Sequence, residues 1–313
     1  MPNVTVIIPT LNRPAELTRA VLSVLNQTYR DLEVVVVADE PSEATLHALK
    51  DLANLRLRFL TNPRKVGLAD ARNIGVNNSS SNWVAFLDDD DEWLPDKIEK
   101  QLAVAETLTG DFIFVVSRYI ERAGVGDRVW PEQLPAGTQR FSEYMYCRRG
   151  MLIPSSFFVS RSLITEMPFT SGLRYLEDID WMLRVTSDAR TQLGTVEAPL
   201  VIYNNFSTPG QLSYDISWQR YYSWAVGHRQ FFTPIAFSLF ITKTVVAKAR
   251  EGKASWRELL HLLSAAMLLG AFSPRAFFFF LASCLFTRNT KRKVREFLSP
   301  AARQSRVMAP PES

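Results

Sequence analysis

The stretch Trp83-Val-Ala-Phe-Leu-Asp-Asp-Asp-Asp-Glu-Trp93 joins a short apolar run to five consecutive acidic residues. Its first five residues predict a strand, so residues 88–92 follow the carboxyl end of that strand. Crowded carboxylates repel one another unless a cation neutralises them, and carboxylate oxygens are preferred ligands of Mg²⁺ and Mn²⁺. A solvated acidic turn at the beginning of a helix would use the same residues, because acidic side chains stabilise helix N-termini. The stretch by itself leaves both interpretations open.

Strands and helices alternate around this stretch. The runs Val4–Ile8 and Glu33–Val37 predict strands with a helix between them, and four successive valines are typical of a strand covered on both faces. A layered α/β domain with a parallel sheet therefore accounts for the first hundred residues. Residues 121–150, rich in Gly, Pro and Arg, are expected to run over the surface. Further helices are predicted at 44–52, 68–77, 93–107 and 177–186, and further strands at 55–60, 112–116, 157–159 and 200–203.

Polar residues follow three of these strands where each strand ends. Pro9-Thr-Leu-Asn-Arg13 follows the first, Asp39 follows the second, and residues 88–92 follow the fourth. Ligands of open α/β sheets bind beyond the carboxyl ends of the strands, so these groups should share one rim. Arg72, within Gly67–Gly75, can approach a base or a phosphate. The Thr and Asn of the first segment could equally cap the following helix.

Six short motifs follow one another along about residues 4–186. They are Val6-Ile-Ile-Pro-Thr-Leu-Asn-Arg13, Ser23-Val-Leu-Asn-Gln-Thr28, Glu33-Val-Val-Val-Val-Ala-Asp39, Gly67–Gly75, Phe86-Leu-Asp-Asp-Asp-Asp-Glu-Trp93 with Pro95 and Lys97, and Leu176-Glu-Asp178. In this order they resemble the family 2 glycosyltransferases, which are inverting nucleotide-sugar enzymes. One departure is Glu40-Pro41, where the family commonly has Gly-Ser.

The resemblance implies the GT-A fold, a Rossmann-like nucleotide-binding mixed sheet flanked by helices, here with a C-terminal helical appendage. Asp39 matches the acidic residue that contacts the nucleobase, and Arg72 lies in the stretch beside the nucleotide. The donor-binding residues implied in this way are Pro9, Thr10, Asn12, Arg13, Asp39, Arg72, Asp89 and Asp90.

The metal-binding DXD element of the family falls within the four aspartates. Asp88 with Asp90 and Asp89 with Asp91 both satisfy its spacing. We choose Asp89 and Asp91, with Asp91 as the principal ligand of Mg²⁺ or Mn²⁺.

The resemblance assigns catalysis to the start of a later helix. Asp178 matches the catalytic base, with Glu177 alongside it. Without the resemblance, these residues would be the ordinary acidic first turn of a helix. The implied reaction is a metal-dependent, inverting transfer of a hexose from a nucleoside diphosphate sugar, a UDP-sugar, to an acceptor hydroxyl. The expected acceptor is a saccharide or a lipid-linked saccharide of bacterial surface polysaccharide or glycolipid assembly.

Two other functions compete with this one. A nucleotidyltransferase acting on a sugar phosphate would share the acidic metal ligands, but it normally has a Gly-rich loop with a basic residue near the N-terminus. A non-enzymatic protein could bind an anionic surface through a basic tail. Nucleic acid is not expected as a partner, because no nucleic-acid-binding motif accompanies the basic residues.

Charge is distributed unevenly along the 313 residues. Residues 201–313 hold 15 Lys and Arg against 5 Asp and Glu, a net charge of +10; the whole chain carries +4, so residues 1–200 carry −6. Cys147 and Cys284 are far apart, which argues against a disulfide framework. We expect a catalytic domain at 1–215, with a nucleotide-sugar half to about 117 and an acceptor half from 118, a helical basic region at 216–300 and a flexible tail at 301–313.

The C-terminal region contains two apolar stretches, Leu259–Pro274 and Ala276–Phe286, followed by the basic run Lys291–Arg295. Each stretch is shorter than the ~20 residues that a membrane span needs. We expect interfacial helices on anionic lipid, although packing against the catalytic domain or a second subunit would use the same residues. With no signal peptide apparent, the expected location is cytoplasmic and peripheral on the inner membrane face. The polar segment 204–214 is predicted to be a lid over the donor.

Overall fold

A mixed β-sheet with helices on its faces forms the first part of the protein. The computed structural model describes residues 2–50, 52, 56–123, 126–136, 140–148, 150–205 and 217–285. The strands are β1 (Val4–Thr10), β2 (Leu32–Ala38), β3 (Leu57–Thr61), β4 (Trp83–Phe86), β5 (Glu92–Trp93), β6 (Phe112–Arg122), β7 (Arg128–Trp130), β8 (Phe158–Ser160) and β9 (Thr191–Asn204). The helices are α1 (Pro14–Leu25), α2 (Glu43–Lys50), α3 (Leu68–Asn77), α4 (Lys97–Ala105), α5 (Phe141–Cys147), α6 (Arg161–Glu166), α7 (Glu177–Ser187), α8 (Trp218–Gly227), α9 (Pro234–Phe240), α10 (Val246–Glu251), α11 (Trp256–Ala265) and α12 (Pro274–Leu285).

The described strands lie in the order β3-β2-β1-β4-β8-β6-β9-β5, and β7 pairs with β6 at the side. Strands β3, β2, β1 and β4 are parallel, whereas β8 is antiparallel to both β4 and β6. Strand β1 is buried along its whole length, as are the four valines of β2. The predicted fully covered parallel strands are therefore confirmed.

The parallel strands bring the predicted polar segments to one edge of the sheet. Thr10 of β1 pairs with Ala38 of β2, and the Asp39 N–H donates to the Thr10 carbonyl over 2.9 Å. On the other side of β1, Ile7 pairs with Phe86, two residues before Asp88. The carboxyl ends of β1, β2 and β4 thus lie side by side, and this rim carries the candidate site.

Several elements differ from the prediction. The helix expected from residue 93 begins at Lys97, because Glu92 and Trp93 form β5 and pair with β9. Strand β9 runs for 14 residues, beginning well before the predicted strand 200–203. Residues 121–150 are not simply a surface excursion, since they include β7 and α5. Helix α5 buries Phe141, Tyr144, Met145 and Tyr146.

The described residues divide into two compact units. The first contains the described residues of 1–123, 127–141 and 150–206, and the second contains those of 124–126, 142–149 and 207–313. The predicted lid lies outside the described residues except for Asn204 and Asn205, and so do the predicted tail 301–313 and the basic run at 291–295. In the ranges that the structure describes, no helix combines the length and the apolar character needed to cross a membrane.

Helix α3 approaches β1 closely at Gly75, which leads to a stability prediction. A Cβ at this position would lie 2.6 Å from Cγ2 of the buried Ile7. We expect Gly75→Ala to lower the free energy of unfolding by about 1–3 kcal/mol, as overpacked core substitutions do. Urea denaturation monitored by circular dichroism measures this difference.

Gly110→Ala is the matched control, because its new Cβ would meet only the end of the flexible Gln192 side chain, at 3.0 Å. We expect it to change the free energy of unfolding by less than about 1 kcal/mol. Equal stabilities for the two variants would contradict the tight packing of α3 on β1.

Candidate active site

The four aspartates after β4 form an acid loop, Asp88–Asp91, whose members alternate in exposure. The side chains of Asp88 and Asp90 retain 29% and 28% of their accessible surface. Asp89 and Asp91 are buried. A tight turn, in which the Asp91 N–H donates to the Asp88 carbonyl over 3.1 Å, accompanies this alternation. Two carboxylates are therefore partly exposed to solvent and two are buried in the protein.

Asp91 fastens the acid loop to the sheet. Its Oδ2 accepts a 2.6 Å hydrogen bond from Ser155 Oγ, and its Oδ1 accepts one from the Asn204 N–H at 3.2 Å. Asn204 also donates through Nδ2 to the Asp90 carbonyl, over 2.7 Å. Burial, followed by the neighbouring charge of Asp88, raises the pKa of Asp91 well above its usual value. The role of principal metal ligand stays a prediction for Asp91.

Asp89, the other predicted metal ligand, is also engaged inside the protein. Its Oδ2 accepts a 2.7 Å hydrogen bond from Thr10 Oγ1, and Arg13 Nη2 lies 3.5 Å from its Oδ1. Burial raises the pKa of Asp89 to about 6, against the opposing effect of Arg13. Arg13 also donates through Nη1 to Asp90 Oδ2, over 2.6 Å. Thr10 and Arg13 thus hold the acid loop in place from the end of β1.

Arg72 is a buried residue, and its place beside the nucleotide stays a prediction. Its guanidinium is 1% exposed and lies over the ring of Phe169, at 5.3 Å from the centroid. Nη2 donates to Asp88 Oδ1 over 2.7 Å, and Nη1 donates to Glu177 Oε1 over 3.2 Å. One buried cation therefore links the acid loop to the beginning of α7.

Helix α7 begins at a strained residue. Leu176, which precedes Glu177, has φ of +56° and ψ of 20°, a left-handed conformation that is costly for a side chain of this size. The helix is anchored one turn later by Asp180, which is buried and accepts hydrogen bonds from Thr170 Oγ1 at 2.6 Å and Arg184 Nε at 2.9 Å. Glu177 and Asp178 are consequently held in the first turn.

The pKa of Asp178 is raised toward neutral pH. Burial, and then the adjacent charge of Glu177, raise its pKa to about 7. Its Oδ1 accepts a hydrogen bond from the Ile179 N–H at 2.7 Å. A pKa near the working pH is the condition under which a carboxylate both accepts and releases a proton effectively.

Asp39 stabilises the approach to α3. Its Oδ1 accepts hydrogen bonds from the Val66 and Gly67 N–H groups, at 2.6 and 2.7 Å. Gly67 has φ of +93°, which favours glycine, and α3 begins at the next residue. Asp39 is buried but its Oδ2 takes no part in these two hydrogen bonds.

The remaining predicted donor residues lie at the end of β1 and just after it. Pro9 is a buried strand residue that pairs with Val37. Asn12 has φ of +51°, which asparagine tolerates, and its Oδ1 accepts a 2.9 Å hydrogen bond from Ser42 Oγ.

Sequence reasoning missed two residues that contact the acid loop. Ser155 and Asn204 contact Asp91 although they lie 64 and 113 residues away in the sequence, and neither stands in a motif that marks this contact.

The motif residue Lys97 is buried, with its Nζ 3.9 Å from the Trp93 ring centroid, and it donates to Gln101 Oε1 over 2.5 Å. Burial lowers the pKa of Lys97 well below its usual value. Trp93 in turn donates through Nε1 to the Ser155 carbonyl over 2.8 Å.

The donor set is compatible with a divalent cation that a substrate helps to bind. Across the parts of the chain that the structure describes, no three His, Cys, Asp or Glu side chains converge closely enough to hold an ion by themselves. Mg²⁺, however, is commonly bound through one or two carboxylates, with substrate phosphates and water completing its coordination. Asp88 and Asp90 offer such a pair.

Comparison with known proteins agrees with this architecture. The Escherichia coli protein WfgD, named UDP-Glc:alpha-D-GlcNAc-diphosphoundecaprenol beta-1,3-glucosyltransferase, is 33% identical over 116 residues, which are 37% of this chain and 45% of WfgD. The chain therefore matches less than half of the length of that relative.

Solved structures share the fold over nearly the whole chain. S. aureus TarS 1–349 in complex with UDP-GlcNAc has a TM-score of 0.66 at 16% identity, covering 97% of this chain and 92% of TarS. The Pyrobaculum calidifontis mannosyltransferase PcManGT, in complex with GDP-Man and Mn²⁺, has a TM-score of 0.53 at 17% identity, covering 98% and 84% of the two chains. The predicted GT-A fold is confirmed.

The family assignment rests on a match to the sequence itself. The model of the family described as Glycosyl transferase family 2 matches residues 5–167, just over half of the chain. This range contains β1, the acid loop and Arg72, and the resemblance stated from the six motifs is confirmed. The chain belongs to glycosyl transferase family 2.

Proposed function

We propose that this glycosyltransferase moves a hexose from a nucleoside diphosphate sugar to an acceptor hydroxyl, with inversion at the anomeric carbon. The observation that carries the proposal is the buried guanidinium of Arg72, which binds Asp88 and Glu177 together. Asp88 belongs to the acid loop, and Glu177 is adjacent to Asp178. This connection supports a single displacement, in which the acceptor attacks one side of the sugar while the diphosphate leaves from the other.

We further propose that Asp88 and Asp90, rather than Asp89 and Asp91, hold Mg²⁺ or Mn²⁺. Exposure supports this register of the DXD element, because the Asp88 and Asp90 side chains keep 29% and 28% of their surface although each pairs with an arginine. Asp89 and Asp91 are buried and accept hydrogen bonds from Thr10, Ser155 and Asn204. When bound, the cation would neutralise charge on the leaving diphosphate. PcManGT, whose structure contains Mn²⁺, supports a divalent ion in a protein of the same fold.

Asp178 is the proposed general base. It would accept the proton of the acceptor hydroxyl as that oxygen attacks the anomeric carbon. The pKa of about 7 supports this role, because the ionised form is available at neutral pH and is basic enough to take the proton. Glu177 is proposed as a positioning residue, since its carboxylate is directed by Arg72.

The proposed donor is a UDP-sugar. Asp39 Oδ2, at the end of β2, is the proposed acceptor for an N–H of the base. WfgD is named for UDP-Glc and TarS was solved with UDP-GlcNAc, whereas PcManGT was solved with GDP-Man. Two of these three proteins therefore support uridine.

The proposed acceptor is a saccharide or a lipid-linked saccharide, in the assembly of a bacterial surface polysaccharide or glycolipid. The name of WfgD specifies a diphosphoundecaprenol-linked sugar, which supports this class of acceptor. The proposal concerns the class alone.

A thermal-shift panel of nucleoside diphosphates tests the donor proposal. A ligand that binds only the native state raises the melting temperature, so UDP with Mn²⁺ should raise it more than GDP, ADP or CDP does. The panel without Mn²⁺ is the control for the ion. The uridine proposal fails if another nucleoside diphosphate raises the melting temperature more than UDP does. Inversion is tested separately by NMR of the product, and a product that keeps the donor's anomeric configuration contradicts it.

Replacement of the base should separate catalysis from donor binding. We expect Asp178→Asn to lower turnover by about 10²–10⁴-fold while leaving the affinity for UDP within a few-fold, because the amide keeps the shape but accepts no proton. Asp188→Asn, at the other end of α7, is the control and should retain activity. Isothermal titration and single-turnover assays measure the two effects.

The pH profile gives an independent check on the same residue. Only ionised Asp178 accepts a proton, and its raised pKa means that turnover should increase with pH and reach half its maximum near pH 7. A single-turnover rate that stays flat between about pH 5.5 and about pH 8.5 would exclude Asp178 as the base.

Two alanine substitutions, at Asp90 and at Asp91, test which pair of aspartates binds the metal. Asp90→Ala should weaken Mn²⁺ binding in the presence of UDP by about 10-fold or more with little effect on stability. Asp91→Ala should instead lower the free energy of unfolding by about 2–4 kcal/mol, because buried donors of Ser155 and Asn204 lose their acceptor. Mn²⁺ titrations and urea denaturation distinguish the two outcomes.

Ser155→Ala is the matched control for the second effect, since it removes one hydrogen bond to Asp91 and no carboxylate. It should destabilise the fold less than Asp91→Ala does and should retain Mn²⁺ binding. A fully stable Asp91→Ala protein that no longer binds Mn²⁺ would restore the register that we first predicted.

A further inference from the structure

An apolar surface in the second unit has no counterpart in the proposed chemistry. Helices α11 and α12, with the π-helical segment Ala266–Gly270 between them, expose large hydrophobic side chains. Leu268 is 84% exposed, Leu285 is 72% exposed and Phe272 is 67% exposed. We call this surface the apolar face. Its exposed members are Trp256, Leu260, Met267, Leu268, Leu269, Phe272, Phe277, Phe278, Leu281 and Leu285.

Helix α12 is apolar on its outer side as well as on its inner side. In α12, Ala276, Phe280 and Cys284 are buried, while Phe278 and Leu281 point outward. A surface helix of a globular protein normally has charged and polar residues on its outer side. Exposed apolar side chains concentrated in this way usually mark an interaction site.

The charges around the apolar face are basic. Within Trp256–Leu285 the charged residues are Arg257, Glu258 and Arg275, and the Glu258 carboxylate is occupied by the capping box with Ser255. Arg257 and Arg275 are exposed. In the sequence of residues 286–300 there are five basic residues, namely Arg288, Lys291, Arg292, Lys293 and Arg295, against the single acidic Glu296. An occupant of this surface must therefore be apolar in its interior and negatively charged at its boundary.

We propose that the apolar face docks on the surface of a bilayer containing anionic lipid, with the aromatic and aliphatic side chains entering the headgroup boundary and the basic residues pairing with phosphates. A second copy of the chain would cover the apolar side chains, but the basic residues of the two copies would then repel one another. The 12 described residues of α12 reach about 18 Å, against a hydrocarbon core of about 30 Å. The inference does not depend on the proposed glycosyl transfer.

Sedimentation of the full chain with lipid vesicles tests the proposal. Vesicles of phosphatidylcholine alone are compared with vesicles containing phosphatidylglycerol, at low and high salt. We expect at least about tenfold stronger binding to the anionic vesicles at low salt, because each basic residue near the surface contributes about fivefold. Binding that is equal on both vesicle types would overturn the anionic partner.

Substitutions on the apolar face locate the contact. The triple variant Leu260→Ser, Leu268→Ser, Phe278→Ser should bind anionic vesicles about tenfold more weakly or worse, since it removes three large apolar groups from the lipid boundary. All three positions are more than half exposed, so the fold should tolerate them. Val129→Ser, an exposed apolar residue of the first unit, is the matched control and should bind as the parent chain does.

A fluorescence measurement keeps the test decisive if the triple variant unfolds. Lipids brominated on their acyl chains should quench the parent protein more than Trp256→Phe, because Trp256 lies on the apolar face. Equal quenching of the two proteins would overturn the proposed orientation. Light scattering tests the alternative that a second copy covers the apolar face. That alternative is supported if the parent chain is a dimer that does not bind vesicles, and if the triple variant is a monomer.

Discussion

The buried guanidinium of Arg72 is the interaction on which the candidate site depends. It binds Asp88 of the acid loop and Glu177 of α7, which are separated by 89 residues of sequence, and it is itself closed off from solvent beneath Phe169. A buried charge is stable only when it is paired, and loss of one partner of such a pair costs about 3–5 kcal/mol. The Arg72 guanidinium therefore stabilises the fold and connects the proposed leaving-group site with the helix that carries the proposed base.

The acid loop shows how the protein tolerates four adjacent aspartates. Asp89 and Asp91 are turned inward, where hydrogen bonds from Thr10, Ser155 and the Asn204 backbone compensate their burial. Asp88 and Asp90 are turned outward and each meets an arginine. The repulsion is thus reduced because every carboxylate of the acid loop has a hydrogen-bonding or ionic partner.

Much of the fold followed from residue patterns. The alternation of β-branched runs with amphipathic helices predicted the parallel strands β1 to β4, and the helix over Leu68–Asn77 agrees with its predicted bounds. Strand β9 was predicted only over its last residues, because its pairing with β6 includes irregularities at Ser117 and Arg118 and its exposures follow no simple alternation. Helix α5 was missed because its neighbours in sequence are rich in turn-forming residues.

The sequence by itself determined the family, the strands whose ends form the rim, and the residue types that gather there. It did not determine which of the four aspartates face outward, nor that Arg72 lies inside the protein. Adjacent residues in a turn have nearly the same local sequence, so local preferences do not distinguish Asp90 from Asp91. The distinction comes from Ser155 and Asn204, which reach Asp91 only after β8 and β9 have joined the sheet, and such contacts exist in the tertiary structure alone.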